Sequence, residues 1–174
     1  MDRATLARRI ADASLLRGTF TLRSGRTSSY YLDKYLFSTQ PEILAALGKE
    51  FAARLPKGVT RLAGAELGGI PLVSAASLAS GLPCIFVRNQ KKDYGTAKQL
   101  EGKLEASDRV AIVEDVATTG GQALEAAKVI RASGATVVTI IATIDRQEGA
   151  RQAIEAEGIA FDSIFTVADL GVTP

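Results

Sequence analysis

Glu114 and Asp115 are adjacent acids at the end of the apolar run Val110-Ala111-Ile112-Val113, and Ala117-Thr118-Thr119-Gly120-Gly121 follows them. The run is short, β-branched and uninterrupted, so it reads as a buried strand. Carboxylates at the C-terminal end of such a strand stand where a parallel α/β sheet places its ligand site. The turn after them carries two hydroxyls and two glycines and leads into a helical stretch over residues 122–132. Backbone N–H groups in such a turn, together with the helix dipole, suit an anion. Phosphate in the turn and sugar hydroxyls on the acids describe a phosphorylated ribose. Taken alone, the segment also fits an ordinary strand–turn–helix with solvated acids and Thr118 as a cap. It is not a Walker loop, because no lysine follows the second glycine.

A second region with chemical potential is the stretch 88–102, RNQKKDYGTAKQLEG. It is polar and aperiodic, and loops of this length in compact domains are usually functional. From Arg88 to Lys103 there are five cations (Arg88, Lys91, Lys92, Lys98 and Lys103) against the two acids Asp93 and Glu101. That composition fits either a solvated surface loop or a mobile lid that carries positive charge to a polyphosphate and excludes water.

What is missing narrows the chemistry further. The 174 residues contain no histidine and one cysteine, Cys84. Histidine bases, Ser–His and Cys–His nucleophiles and thiolate zinc clusters are thereby excluded. Any metal has to be a hard ion on oxygen ligands, for which Mg²⁺ accompanying a phosphate substrate is the natural candidate. One thiol also means no disulfide framework and suits the cytoplasm. A net charge of +2 offers no basic field for nucleic acid, and 47% apolar with 23% charged residues describes an ordinary globular chain. The N-terminal MDRATLARRIADASLL has no apolar core of leader type, and a core-packing helix explains it better than a membrane-surface one.

The elements that must position these groups alternate along a single domain of 1–174. Helices are expected over residues 3–16, 41–54, 70–79, 122–132 and 147–157. Strands are expected over 20–22, 29–32, 61–65, 83–87, 110–114, 137–145 and 160–166. Pro41 opens its helix as proline does in a first turn. Strands alternating with helices argue for an α/β fold, a mostly parallel central sheet flanked by helices. The first 40 residues form a small hood around a turn at Ser24-Gly25-Arg26.

With the acid pair and the T-T-G-G turn, the stretch from Arg109 to Arg131 resembles the phosphoribosyl pyrophosphate (PRPP) signature of type I phosphoribosyltransferases. The pattern F-x-L-x-S-G-x-x-S-x-Y-Y from Phe20 to Tyr31 and the segment Asp145-Arg146-Gln147-Glu148-Gly149 narrow this. From about residue 4 to residue 149 the chain resembles the orotate phosphoribosyltransferases. The resemblance implies the type I phosphoribosyltransferase fold and transfer of the phosphoribosyl group of PRPP to orotate. The products would be orotidine 5′-phosphate and pyrophosphate, a step in pyrimidine nucleotide synthesis. Mg²⁺ would arrive on the pyrophosphate rather than on a protein site. A homodimer sharing its lids is implied, with no nucleic-acid or membrane partner.

Carried over by position, Glu114 and Asp115 would hold the ribose hydroxyls. Val116, Ala117, Thr118, Thr119, Gly120, Gly121 and Gln122 would surround the 5′-phosphate. Thr118 and Arg146 would contact orotate, whose carboxylate matches a guanidinium fork. Tyr31 and Leu32 would lie against the pyrimidine. Arg23, Arg88, Asn89, Lys92 and Tyr94 complete the PRPP set, with Lys92 and Arg88 joining the acids in catalysis. Glu66-Leu67-Gly68-Gly69 matches the pyrophosphate loop, for which a non-proline cis peptide is implied.

Three positions depart from the family pattern. Asn89 replaces a lysine and Tyr94 a histidine in the lid, and Gly68 stands where some relatives have lysine. Each lost cation contact is worth roughly 1.5–3 kcal/mol, or about tenfold to a hundredfold in rate. Lys91 is the neighbouring candidate for compensation. A purine phosphoribosyltransferase and a non-catalytic PRPP- or nucleotide-sensing regulator of the same fold are the competing readings.

Overall fold

A computed structural model describes residues 1–21, 25, 27–89 and 99–172, the side chain of Ser28 excepted. Its elements run α1 (Arg3–Ser14), β1 (Leu15–Thr21), β2 (Thr27–Leu32), α2 (Lys34–Ser38), α3 (Pro41–Arg54), β3 (Arg61–Ala65), α4 (Gly69–Ser80) and β4 (Cys84–Val87). They continue with β5 (Leu100–Glu101), β6 (Arg109–Ala117), α5 (Gly121–Ala132), β7 (Thr136–Asp145), α6 (Ala150–Ala156), β8 (Ala160–Thr166) and a 3₁₀ turn, Ala168–Leu170.

Among the described residues, six strands form the central sheet in the order β5-β4-β3-β6-β7-β8. All neighbours are parallel except β5, which runs antiparallel to β4. From β3 the chain winds outward to β4 on one side, then returns to β6 and winds to β7 and β8 on the other. The order therefore reverses between β3 and β6, and the crevice beyond their C-terminal ends is where doubly wound sheets bind ligands.

Alternation along the strands feeds two cores. Ala111 and Val113 of β6 join Leu6, Ile10, Ile43, Leu47 and Leu72 from α1, α3 and α4 on one face. Val110 and Ile112 join Ala123, Ala127, Ile130 and Ile154 from α5 and α6 on the other. Because both faces are covered, the strands carry the unbroken apolar runs of a buried parallel sheet. The β1–β2 hairpin and α1 and α2 make up the hood.

The helix 41–54 and the strands 61–65 and 160–166 form over the expected residues. Other boundaries move for local reasons. The first helix stops at Ser14, not residue 16, because Leu15 and Leu16 pair with Leu32 and Tyr31 in the hairpin. The helix expected from residue 147 starts at Ala150, since Gln147 and Gly149 adopt φ of 61° and 105° and Gln147 N–H donates to Asp145 Oδ1 at 2.8 Å. Positive φ breaks the helical path at both positions. The loop expected over 88–102 is shorter at its far end, where Leu100 and Glu101 pair with Val87 and Phe86. The five-residue α2 was not expected. It is capped by Asp33, whose side chain accepts from Tyr35 N–H at 3.1 Å.

Candidate active site

The two loops that leave β3 and β6 meet at the reversal of strand order. Gly64 lets the first of them turn closely: a Cβ there would lie 2.5 Å from Gly69 O. So α4 begins directly over β3, and the turn Glu66-Leu67-Gly68-Gly69 lies beside β6. Its Glu66–Leu67 peptide is cis. Gly68 allows an even closer approach, since a Cβ on it would fall 1.6 Å from Asp115 Oδ2. The bare backbone of this turn thus faces the acid pair.

Glu114 and Asp115 lie inside β6, not past its end, and only 3% and 1% of their surfaces are exposed. Burial and the neighbouring Asp115 carboxylate push the Glu114 carboxyl up to about 8. Near neutrality Glu114 therefore keeps a proton that it can donate. Glu114 Oε2 is buried without a hydrogen-bond partner. Asp115 Oδ1 accepts from Val116 N–H at 2.6 Å, and Lys34 Nζ stands 2.8 Å from Oδ2. Burial disfavours the Lys34 ammonium, but Asp115 outweighs that and holds its pKa above the ordinary lysine value.

After the acids the chain enters the turn to α5. Ala117 is still strand and buried, and its carbonyl accepts from Arg146 N–H at 2.9 Å. The open part of the turn starts at Thr118, whose carbonyl accepts from Ala150 N–H at 3.0 Å. Gly120 has φ of 81° and no side chain caps α5, leaving the first-turn N–H groups to an outside acceptor. A non-glycine residue at 120 would strain that turn and press its Cβ to 3.2 Å from Ile154.

Arg146 closes the site from the end of β7. Its Nη2 lies 3.0 Å from Tyr30 Oη in the hood and 3.0 Å from Glu148 Oε1, and the guanidinium lies 5.3 Å from the Tyr30 ring centre. Arg146 Nε is buried without a partner. On the opposite side, Asn89 N–H donates to Glu66 Oε1 at 2.6 Å and Gln122 Nε2 to Glu66 O at 3.1 Å. A cleft of about 360 Å³ opens there, lined by Arg88, Asn89, Gln99, Gln122 and Glu125 among others. Arg88 Nη1 is 3.8 Å from Glu101 Oε1.

No protein-family model matches the chain. It is 43% identical over 169 residues to an orotate phosphoribosyltransferase of Halobacterium salinarum, covering 97% of this chain and 95% of that one. The orotate phosphoribosyltransferase of Mycobacterium tuberculosis, solved with Fe(III) dicitrate, superposes with a TM-score of 0.87 at 34% identity, over 99% of this chain and all of the other. The same Mycobacterium enzyme solved with PRPP superposes at 0.81 and 35%, over 99% and 100%. The chain belongs to the orotate phosphoribosyltransferase family.

Within that family frame, the structure gathers Glu114, Asp115, Val116, Thr118, Thr119, Gly120, Gly121, Gln122, Asn89 and Arg146 around one crevice. Leu32 is different: its side chain is buried in the core, so only its backbone is left for a ligand. Tyr31 is about half exposed and packs its ring 5.8 Å from that of Phe20. Arg23, Lys92 and Tyr94, with Lys91, lie outside the described residues. Sequence reasoning missed Lys34 as a site residue, placed Glu66 only within the pyrophosphate loop, and gave Tyr30 no role of its own. Lys34 belongs to a helix too short for periodicity to reveal, although Asp33 ahead of it carries a capping signal. Glu66 contributes partly through its carbonyl, which no side-chain pattern can announce.

Proposed function

We propose that this chain transfers the 5-phosphoribosyl group of PRPP to orotate, giving orotidine 5′-phosphate and pyrophosphate. The observation that carries the reading is the buried Glu114–Asp115 pair beside an uncapped glycine turn, with Arg146 across the crevice. In this reading Asp115 and Glu114 hold the ribose hydroxyls while 118–122 bind the 5′-phosphate. Arg146 and Thr118 then orient orotate, with Tyr31 and the Leu32 backbone against the ring.

Breaking the anomeric bond of PRPP moves negative charge onto pyrophosphate and leaves positive charge on the sugar. The protein's task is positioning and charge stabilisation, with no covalent nucleophile required. Buried carboxylate density beneath the ribose favours that positive charge. Arg88, Asn89, Lys92, Tyr94 and Arg23 are assigned to the pyrophosphate side, Lys92 and Arg88 as the cations that steady the leaving group. Mg²⁺ is carried as the counter-ion of the pyrophosphate. Hard oxygen donors suit it, and among the described residues no three acidic groups converge on a metal position of their own. We extend the proposal to a homodimer in which 88–99 serves the neighbouring site, acting in the cytoplasm on charged substrates. Among the described residues no helix is long and apolar enough to cross a membrane.

The test is loss of orotate absorbance with purified protein, PRPP and Mg²⁺, coupled to a decarboxylase that consumes the product. Turnover requiring both PRPP and Mg²⁺ is expected. Binding of PRPP without turnover would favour the sensor reading, and turnover with a purine base instead of orotate would favour the purine relatives. Sedimentation of the purified protein as a monomer under assay conditions would overturn the shared-lid arrangement.

A further inference from the structure

Asp115 Oδ1 accepts from Val116 N–H at 2.6 Å, while the buried Oδ2 has no hydrogen-bond partner and is held by its ion pair with Lys34 Nζ at 2.8 Å. Lys34 is the first residue of α2, so the second of these holds comes from the hood and not from the sheet. The Lys34 side chain is 31% exposed, whereas that of Asp115 is 2% exposed. The cation therefore bridges solvent and a buried anion. A Cβ at Gly68 would lie 1.6 Å from Oδ2 and 2.7 Å from Cγ of Asp115. The Asp115 carboxylate fills the volume that a side chain at 68 would take.

We infer that Lys34 is a positioning residue of the sugar site, clamping the Asp115 carboxylate into the space left by Gly68 so that its remaining lone pairs face the ribose hydroxyls. The inference rests on the reading of Glu114 and Asp115 as the sugar clamp. Its physical basis is the crowding of two carboxyl groups in a buried volume. A buried carboxylate left without a counter-charge is strongly disfavoured and moves toward solvent or takes up a further proton, which removes acceptors from the sugar. One ammonium at Oδ2 neutralises the pair's excess charge yet leaves a lone pair on each Asp115 oxygen. Among the described residues, Lys34 is the cation that acts on the pair, and its ammonium in turn lies 5.6 Å from the Tyr35 ring centre. Because the clamp belongs to the hood, which also carries Tyr30 and Tyr31, the element that meets the base also sets the sugar site.

The experiment compares Lys34→Met, Lys34→Arg and Gly68→Ala with the unmodified chain, each confirmed folded by circular dichroism. Ribose 5-phosphate binding is measured by calorimetry, and KM for PRPP and for orotate by steady-state kinetics. Lys34→Met is expected to weaken ribose 5-phosphate binding and raise the PRPP KM on the order of tenfold, with the orotate KM unchanged. Lys34→Arg should recover part of the loss, which a role in hood packing alone would not predict. Gly68→Ala keeps the cation but displaces Asp115, so it should reproduce the PRPP defect even where Lys34→Met fails to fold. Equal or tighter ribose 5-phosphate binding in Lys34→Met, or a parallel loss for both substrates, would overturn the inference while leaving the sugar clamp standing. An unmodified chain that neither binds ribose 5-phosphate nor turns over would remove the clamp reading and this inference with it.

Discussion

Strand β6 has acids at both ends, and the two ends treat them in opposite ways. Asp108, just before the strand, is surrounded by donors. Arg61 Nε lies 2.6 Å and Glu105 N 2.8 Å from its Oδ2, and Thr60 Oγ1 lies 2.9 Å from Oδ1. Burial pushes its carboxyl up, but these hydrogen bonds outweigh that and leave its pKa below the ordinary value. Glu114, near the other end, is pushed up to about 8 and keeps a buried oxygen without a partner. A fold that needed both acids only for support would satisfy both alike. The satisfied end ties strands together; the unsatisfied end, at the reversal of strand order, retains acceptors for a ligand.

The sharpest way to break that contrast is to neutralise one acid at each end. Asp115→Asn removes a charged acceptor at the sugar, so kcat/KM for PRPP should fall about a hundredfold or more. Steady-state kinetics in which this variant matches the unmodified chain would end the sugar-clamp assignment. Arg146→Ala removes the guanidinium expected to meet the orotate carboxylate. Its orotate KM should rise roughly tenfold to a hundredfold with the PRPP KM nearly constant. A loss shared equally by both substrates would place Arg146 in the support of the hood through Tyr30 instead.

Asp108→Asn should show the reverse profile. Breaking its network is expected to cost about 1–3 kcal/mol in urea unfolding, while kcat and both KM values stay put. A large catalytic loss there would erase the distinction between the two ends.

The last expectation concerns pH. Glu114 titrates near 4.5 in the unfolded chain and at about 8 when folded, so the folded state holds its proton more tightly. Its stabilising contribution is complete below 4.5 and is lost as pH rises toward 8. Glu114→Gln should abolish that slope. Urea unfolding between pH 5 and 8 should therefore show the unmodified chain losing stability relative to the variant. Parallel stability curves would mean that Glu114 is charged throughout this range.

Much of the fold was legible because its signals are local. The short apolar runs at 62–65 and 110–113 read as buried strands, and Pro41 marked the start of α3. The turn at 147–149 was less legible: its residues read as the start of a helix, but Gln147 and Gly149 have positive φ. At the site, the acid pair and the T-T-G-G turn announced a phosphorylated sugar by residue type and spacing, and Arg146 followed from the D-R-x-E-G segment. The sequence by itself therefore determined the fold class, the ligand chemistry and the family, since each depends on residues close along the chain. Tertiary structure alone decided that Lys34 reaches Asp115, that Gly68 makes room for that carboxylate, and that Leu32 turns into the core. Those outcomes depend on how the hood and the two central loops pack together, and distances of a few ångströms between remote segments leave no periodic mark in the chain.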